Sequence, residues 1–273
     1  MVVATTNDAE AASDARSLGR RAWDELRFLV RLGAVMLALL TLVWGHYKIP
    51  SESMQPALEV GDHIYVSKFA YGWSRHSLPL GLHRLPLPGG RLLGRLPERG
   101  DVAVFRNPNN GTVMIKRVVG LPGDTVQMQG GRVRLNDAEV PRELVTELLY
   151  RAHDPGRTVR RVSHYREGLP DVAEPTDIWE IADTAPLDDT PVFVVPQGHV
   201  FVMGDNRENS TDSRVGTTLP DGTPIARERD YGPGFVPVEA LVGRADRILF
   251  SLNRCNRTEG LRCPERRRYF SRL

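Results

Sequence analysis

The sequence predicts a mainly β, antiparallel domain carried behind one N-terminal transmembrane helix. Three observations predict it. The run LGAVMLALLTLVWGHY from Leu32 holds no charge before Lys48, which suits a bilayer span. Beyond it, short segments rich in Val, Ile, Phe and Tyr recur between turns bearing Gly, Pro and Asp, the pattern of strands and hairpins. No stretch after Lys48 repeats its apolar residues clearly at helical spacing, so antiparallel hairpins are expected rather than α/β alternation.

Taken in chain order, residues 1–27 read as a cytoplasmic segment and 28–47 as the anchor. Phe28-Leu29-Val30 brings the apolar stretch near the roughly 20 residues a span needs. Arg31 can snorkel to one interface, and Trp44 and Tyr47 suit the other. Arg16, Arg20, Arg21, Arg27 and Arg31 lie on the N-terminal side, whereas Lys48 is the only nearby basic residue beyond the run. The positive-inside rule then keeps the N-terminus in the cytoplasm and exports residues 48–273. A cleaved secretory signal would end at a small-residue site, but this run ends in Gly45-His46-Tyr47-Lys48-Ile49-Pro50. A buried helix of a soluble domain is the other reading that the length permits.

In the exported part, strands are expected at Ile64–Val66, Asp101–Phe105 and Thr112–Val119. Thr125–Met128 and Arg132–Leu135 flank Gly130-Gly131 as a hairpin. A second hairpin is expected from Val192–Val195 and Val200–Met203, turning at Pro196-Gln197-Gly198, with late strands at Leu241-Val242 and Arg247–Phe250. Three stretches break the pattern. Residues 73–97 are rich in Gly, Pro and Leu, and 141–191 are polar with little periodicity, suiting an inserted peripheral lobe. Residues 216–231 read as a loop.

The 273 residues suffice for one sizeable core, and the net charge of +2 shows no nucleic-acid footprint. Arg262 and Arg266-Arg267-Arg268 form a basic tail that reads as solvated. The seven histidines are scattered, without an H-x-x-x-H pattern, so no metal site and no cofactor are expected. Cys255 and Cys263 are too few for a structural zinc site. A small disulfide loop would suit an exported domain, but spacing alone leaves it open. Nothing in the sequence demands more than a monomer.

The chemistry lies in Ile49-Pro50-Ser51-Glu52-Ser53-Met54-Gln55-Pro56-Ala57-Leu58, directly after the anchor, and in Val113-Met114-Ile115-Lys116-Arg117-Val118-Val119. A serine nucleophile needs a base, and a neutral lysine amine can serve. Strand alternation puts Met114, Lys116 and Val118 on one face and Ile115, Arg117 and Val119 on the other. Apolar neighbours disfavour the ammonium and lower the lysine pKa, while Arg117 points away. On strand pattern alone, an exposed lysine is the competing reading. The polar block Gly204–Arg214 follows an apolar strand and can build Asx-type turns and carboxylate–guanidinium pairs.

These segments, in this order, resemble the bacterial type I signal peptidases (leader peptidases). Ser51-x-Ser53-Met54-x-Pro56-x-Leu58 is similar to the family's nucleophile box. Gly61-Asp62-His63-Ile64-Tyr65-Val66-x-Lys68-Phe69-x-Tyr71-Gly72 is similar to the next. Arg99-Gly100-Asp101-Val102-x-Val104-Phe105 with Ile115–Asp124 resembles the lysine box, and Gly204–Arg214 the last. The resemblance implies a signal-peptidase-like antiparallel fold in a bacterial inner-membrane protein, facing the periplasm. It implies Ser53 as nucleophile, Lys116 as general base, and the Ser51 hydroxyl with the Ser53 N–H as oxyanion hole. Ser210 would orient Lys116, and Asp205, Arg207, Asp212 and Arg214 would hold the loops. The implied substrate is a signal peptide of an exported preprotein, added as a strand, with small side chains in shallow pockets. Ile49, Met54, Leu58, Met114 and Ile115 are candidates to line those pockets, with plain core packing as the equal alternative.

Departures from the family pattern are Ala57 where threonine is common, Glu208 where aspartate is usual, and the loop after Arg214. A self-cleaving repressor-type Ser-Lys protease would carry a DNA-binding domain where this chain has its apolar run. A specialised or conjugation-type processing peptidase, and a non-catalytic membrane-tethered β domain, remain open on sequence.

Overall fold

The computed structural model describes residues 5–78, 89–181, 185–216, 232–252, 261–263 and 268–273, with side chains from residue 20 onward except Thr41. The chain divides into two compact units, one up to Val43 and one from Trp44 on.

The first unit is a single helix, α1 (Thr5–Leu42). Among the described residues no helix is long and apolar enough to cross a membrane. The apolar end of α1, Phe28–Leu42, rises roughly 22 Å at 1.5 Å per residue, short of the bilayer core of about 30 Å. The stretch 28–47 therefore divides. Trp44 and Tyr47, expected at a membrane boundary, lie in a strand paired from Trp44↔Ser67 to Lys48↔His63. Trp44 stands edge-on to Tyr65, with centroids 5.7 Å apart, and Tyr47 packs against the core.

The second unit begins with β1 (Trp44–Lys48), β2 (Asp62–Ser67), β3 (Trp73–Ser74), β4 (Arg91–Leu92), β5 (Val102–Arg106) and β6 (Val113–Gly120). It continues with β7 (Thr125–Gln129), β8 (Arg132–Leu135), β9 (Ala138–Glu139), β10 (Arg142–Arg151), β11 (Val159–Glu167) and β12 (Thr176–Glu180). It ends with β13 (Phe193–Val194), β14 (His199–Met203), β15 (Val236–Pro237), β16 (Leu241–Ser251) and β17 (Ser271–Arg272). The main sheet runs β1-β2-β16-β5-β6-β14-β15, with β17 on β16. All its strand pairs are antiparallel.

Several expectations need correction. The segments around Pro196–Gly198 do not form a hairpin: β13 pairs with β7, whereas β14 pairs with β6 and β15. Phe193 and Phe201 still meet, at 5.2 Å between centroids, inside the core cluster that β7 and β8 also feed. The two late strands are one, β16, whose register shifts at three pairings. Residues 141–191 hold long strands, with β10-β11-β12 as a sheet of their own. Period-2 patterning failed there because β10 is exposed along most of its length, so no buried face wrote an alternation into the sequence. Most of the loop 216–231 lies outside the described residues, as does Cys255, while Cys263 is disulfide-bonded.

Candidate active site

The Ser51–Ser53 segment is a loop tied at both ends. The Ile49 N–H donates to the Asp62 carbonyl at 2.8 Å, and the Gly61 N–H to the Ile49 carbonyl at 2.9 Å. Inside it, Gln55 N–H to Glu52 C=O and Leu58 N–H to Met54 C=O make consecutive turns. Ile49, Met54 and Leu58 are at most 2% exposed and pack with Ile64, Val66 and Val104. They staple the loop to the sheet, which is the core packing that the sequence left open beside a pocket wall. Ser51 stays exposed above them, and Ser53 keeps 7% of its surface.

Lys116 sits on β6, opposite Ala103 of β5 and 3% exposed. Its Nζ lies 2.5 Å from Ser53 Oγ. Burial pulls its pKa down to about 8; the Asp212 and Asp205 carboxylates oppose that shift, and the Arg214 guanidinium assists it. Strand alternation holds around it: Met114 and Val118 share one core cluster, while Ile115 and Val119 serve two others. Met114 and Ile115 remain partly exposed. The Ser51 and Ser53 hydroxyl oxygens are 3.4 Å apart. Among the described residues no acceptor takes the Ser53 N–H.

The Gly204–Arg214 block lies against this pair. The Asn206 N–H donates to the Ser53 carbonyl at 3.1 Å. A Cβ on Gly204 would lie 2.4 Å from that carbonyl oxygen and 2.3 Å from Ser210 Oγ, so only glycine lets the two loops meet there. Ser210 Oγ is buried and makes no hydrogen bond to Lys116. Its hydroxyl is instead one of the groups that hold the Asp212 carboxyl down. Burial alone would raise the Asp212 carboxyl. The Arg214 charge, two Arg214 hydrogen bonds at 2.9 Å and the Gly204 N–H at 3.0 Å hold it below its ordinary value instead.

Asp205 accepts two bonds from Arg117, at 2.8 and 2.7 Å, and Arg207 donates two to Glu167, at 2.9 and 2.5 Å. Arg117 does point away from the serine, yet it holds the loop that packs on the lysine. Glu167, Glu52 and Trp179 went unread in the sequence. Glu52, between the two serines, accepts from the His153 N–H at 2.8 Å and from Asn209 Nδ2 at 2.9 Å. Trp179 on β12 bonds the backbone of Asp205 and Arg207 at 2.8 and 2.9 Å. The 141–191 lobe is thus a buttress of the site. None of the three carries a local signal, because each partner lies tens of residues away.

A family model described as signal peptidase, peptidase S26, matches residues 22–250. The chain belongs to the S26 signal peptidase family. Among curated relatives it is 33% identical over 223 residues to signal peptidase I of Rickettsia typhi, covering 80% of this chain and 76% of that one. It is 32% identical over 235 residues to the signal peptidase I of Rickettsia canadensis, covering 84% and 79%. A solved signal peptidase I from Enterococcus faecalis is 23% identical, covering 55% of this chain and 97% of that one, with a TM-score of 0.30. The segment matched to the S26 family holds every site residue above from Ile49 to Arg214, and excludes the tail arginines Arg262 and Arg268.

Proposed function

We propose that this chain is a serine endopeptidase that removes signal peptides from exported preproteins, with Ser53 as nucleophile and Lys116 as general base. The observation that carries the proposal is the 2.5 Å contact between Ser53 Oγ and a buried lysine amine whose pKa is lowered to about 8. The neutral amine takes the hydroxyl proton as Ser53 Oγ attacks the scissile carbonyl. The oxyanion accepts hydrogen bonds from the Ser51 hydroxyl and the Ser53 N–H. The Lys116 ammonium then protonates the leaving amine of the mature protein as the peptide bond breaks. Water, deprotonated by Lys116, attacks the acyl-enzyme, releases the signal peptide as a carboxylate and restores the Ser53 hydroxyl. Ser210 would orient the amine by turning its hydroxyl from Asp212 toward Lys116, and Asp205, Arg207, Asp212 and Arg214 hold the surrounding loops.

An open strand edge supports the substrate reading. β14 pairs with β6 only over Arg117–Gly120, so Val113–Lys116 has a backbone edge without a partner strand on that side among the described residues. An extended peptide adding there runs past Met114 and Ile115 toward Ser53. The expected result is cleavage of a model preprotein immediately after its Ala-x-Ala sequence, by the full-length protein in detergent with chelator present. An intact preprotein after incubation with well-folded protein would sink the proposal. Ser51→Ala is expected to lower kcat about 100-fold with KM little changed; an equal rise in KM would assign Ser51 to binding instead.

The apolar end of α1 would anchor the chain in the bacterial inner membrane only where the bilayer thins to its short span, with the N-terminal arginines cytoplasmic and the β domain periplasmic. The charge asymmetry around residues 28–47 supports that orientation, and a single copy of the chain carries the whole dyad. Carbonate extraction should leave the full-length chain in the membrane pellet; release into the supernatant would remove the anchor.

A further inference from the structure

The C-terminal tail, which reads as a solvated basic run in the sequence, closes on the back of the nucleophile loop. Two carboxylates of that loop, Glu59 and Asp62, are 1% and 0% exposed. Charges so deeply buried need cationic partners, and the tail provides them. Arg262 pairs with Glu59, whose other oxygen accepts from Gln55 Nε2 at 2.6 Å. Arg268 donates to Asp62 at 2.7 Å and to the Ala57 carbonyl at 2.5 Å. The Asp62 carboxylate also accepts the Glu59 backbone N–H at 2.9 Å, which closes the turn from Glu59 to Asp62.

Arg262 reaches the other half of the site as well. Its guanidinium stacks over the Trp179 ring, 4.7 Å from the centroid. Trp179 holds the backbone of Asp205 and Arg207 through bonds of 2.8 and 2.9 Å. The tail is itself pinned: the Arg262 N–H donates to the Leu149 carbonyl at 2.7 Å, Cys263 is disulfide-bonded, and β17 pairs with β16. Arg262 and Arg268 thus brace residues 55–62 behind Ser53, and Arg262 also braces β12, whose Trp179 bonds the 205–207 loop.

We propose that Arg262 and Arg268 are positioning residues for Ser53, holding the turn behind it in register with Lys116. The proposal rests on the peptidase reading and deepens it. A displacement near 1 Å at the nucleophile costs about 100-fold in rate, so positioning should appear in kcat.

Arg268→Ala is expected to lower kcat about 10- to 100-fold with KM within twofold, and Arg268→Lys to recover part of it. Amides from Met54 to Leu58 should exchange with deuterium faster in Arg268→Ala, with the β5–β6 pairing unchanged. In the double variant Asp62→Asn/Arg268→Met the buried charge goes with its partner. Its Tm should recover toward wild type while kcat stays low. Recovery of kcat together with Tm, or exchange at Met54–Leu58 equal to wild type, would overturn the proposal. If wild type itself fails to cut the preprotein, the peptidase reading falls, while the exchange comparison still decides whether the tail orders the loop.

Discussion

Ser53→Ala and Lys116→Met are each expected to cut turnover of a model preprotein by about 10,000-fold or more, since nucleophile and base act as one unit. The double variant should be little worse than either single one. Wild-type activity should rise with pH through a limb near 8, where the buried amine loses its proton. Lysine in the unfolded chain keeps its proton to about 10.4. The cost of the buried ammonium is therefore fully present below about pH 8 and is relieved as pH rises toward 10, where the unfolded chain binds more protons than the folded one. The lowered pKa corresponds to about 3 kcal/mol, against about 1 kcal/mol for the hydrogen bond that methionine loses. Lys116→Met should thus be inactive and, at pH 7, more stable by about 2 kcal/mol. Parallel urea melts and cleavage assays test both halves. A limb near pH 10 would show an ordinary lysine, and activity surviving either substitution would show the wrong pair.

Asp212→Asn is expected to destabilise the protein by about 3–5 kcal/mol, because Arg214 would keep its charge in a buried site without a counter-ion. Asp212 and Arg214 are 0% and 1% exposed, so solvent cannot take over. The same substitution should move the pH limb. Asp212 is the main charge that raises the Lys116 pKa, and Arg214 lowers it. Removing the carboxylate while leaving the guanidinium drops the lysine further, so the rising limb shifts toward acid. Cleavage profiles of the two proteins, measured at a temperature where both are folded, decide the sign. A shift toward alkaline pH would mean that Asp212 does not act on the lysine through its charge.

Much of the site was legible because its signals are local. Strand alternation places Lys116 among apolar neighbours but leaves an exposed lysine open; the order of the boxes selects the buried amine, and β6 follows that alternation. Met54 and Leu58, which the sequence left equally open to pocket wall and core, pack in the core behind the two serines. Gly204 shows why a glycine opens the last block, but only the approach of Ser53 and Ser210 reveals the need. The boundary at 44–48 was misread because a tryptophan and a tyrosine suit a membrane interface and a strand equally well.

By itself the sequence determined the mainly β class, the order of the boxes, and the serine and lysine that meet. The class is written in periodicity, turn residues and apolar flanks; the boxes and the pair are what the resemblance to the signal peptidases implies. Tertiary structure alone decided which buried charges pair: Arg207 with Glu167 across 40 positions, and Arg268 with Asp62 across 206. It also turned the 141–191 lobe and the C-terminal tail from periphery into supports of the site. The reason is physical: a buried carboxylate must find a cation, but nothing in its local sequence says from how far along the chain that cation comes.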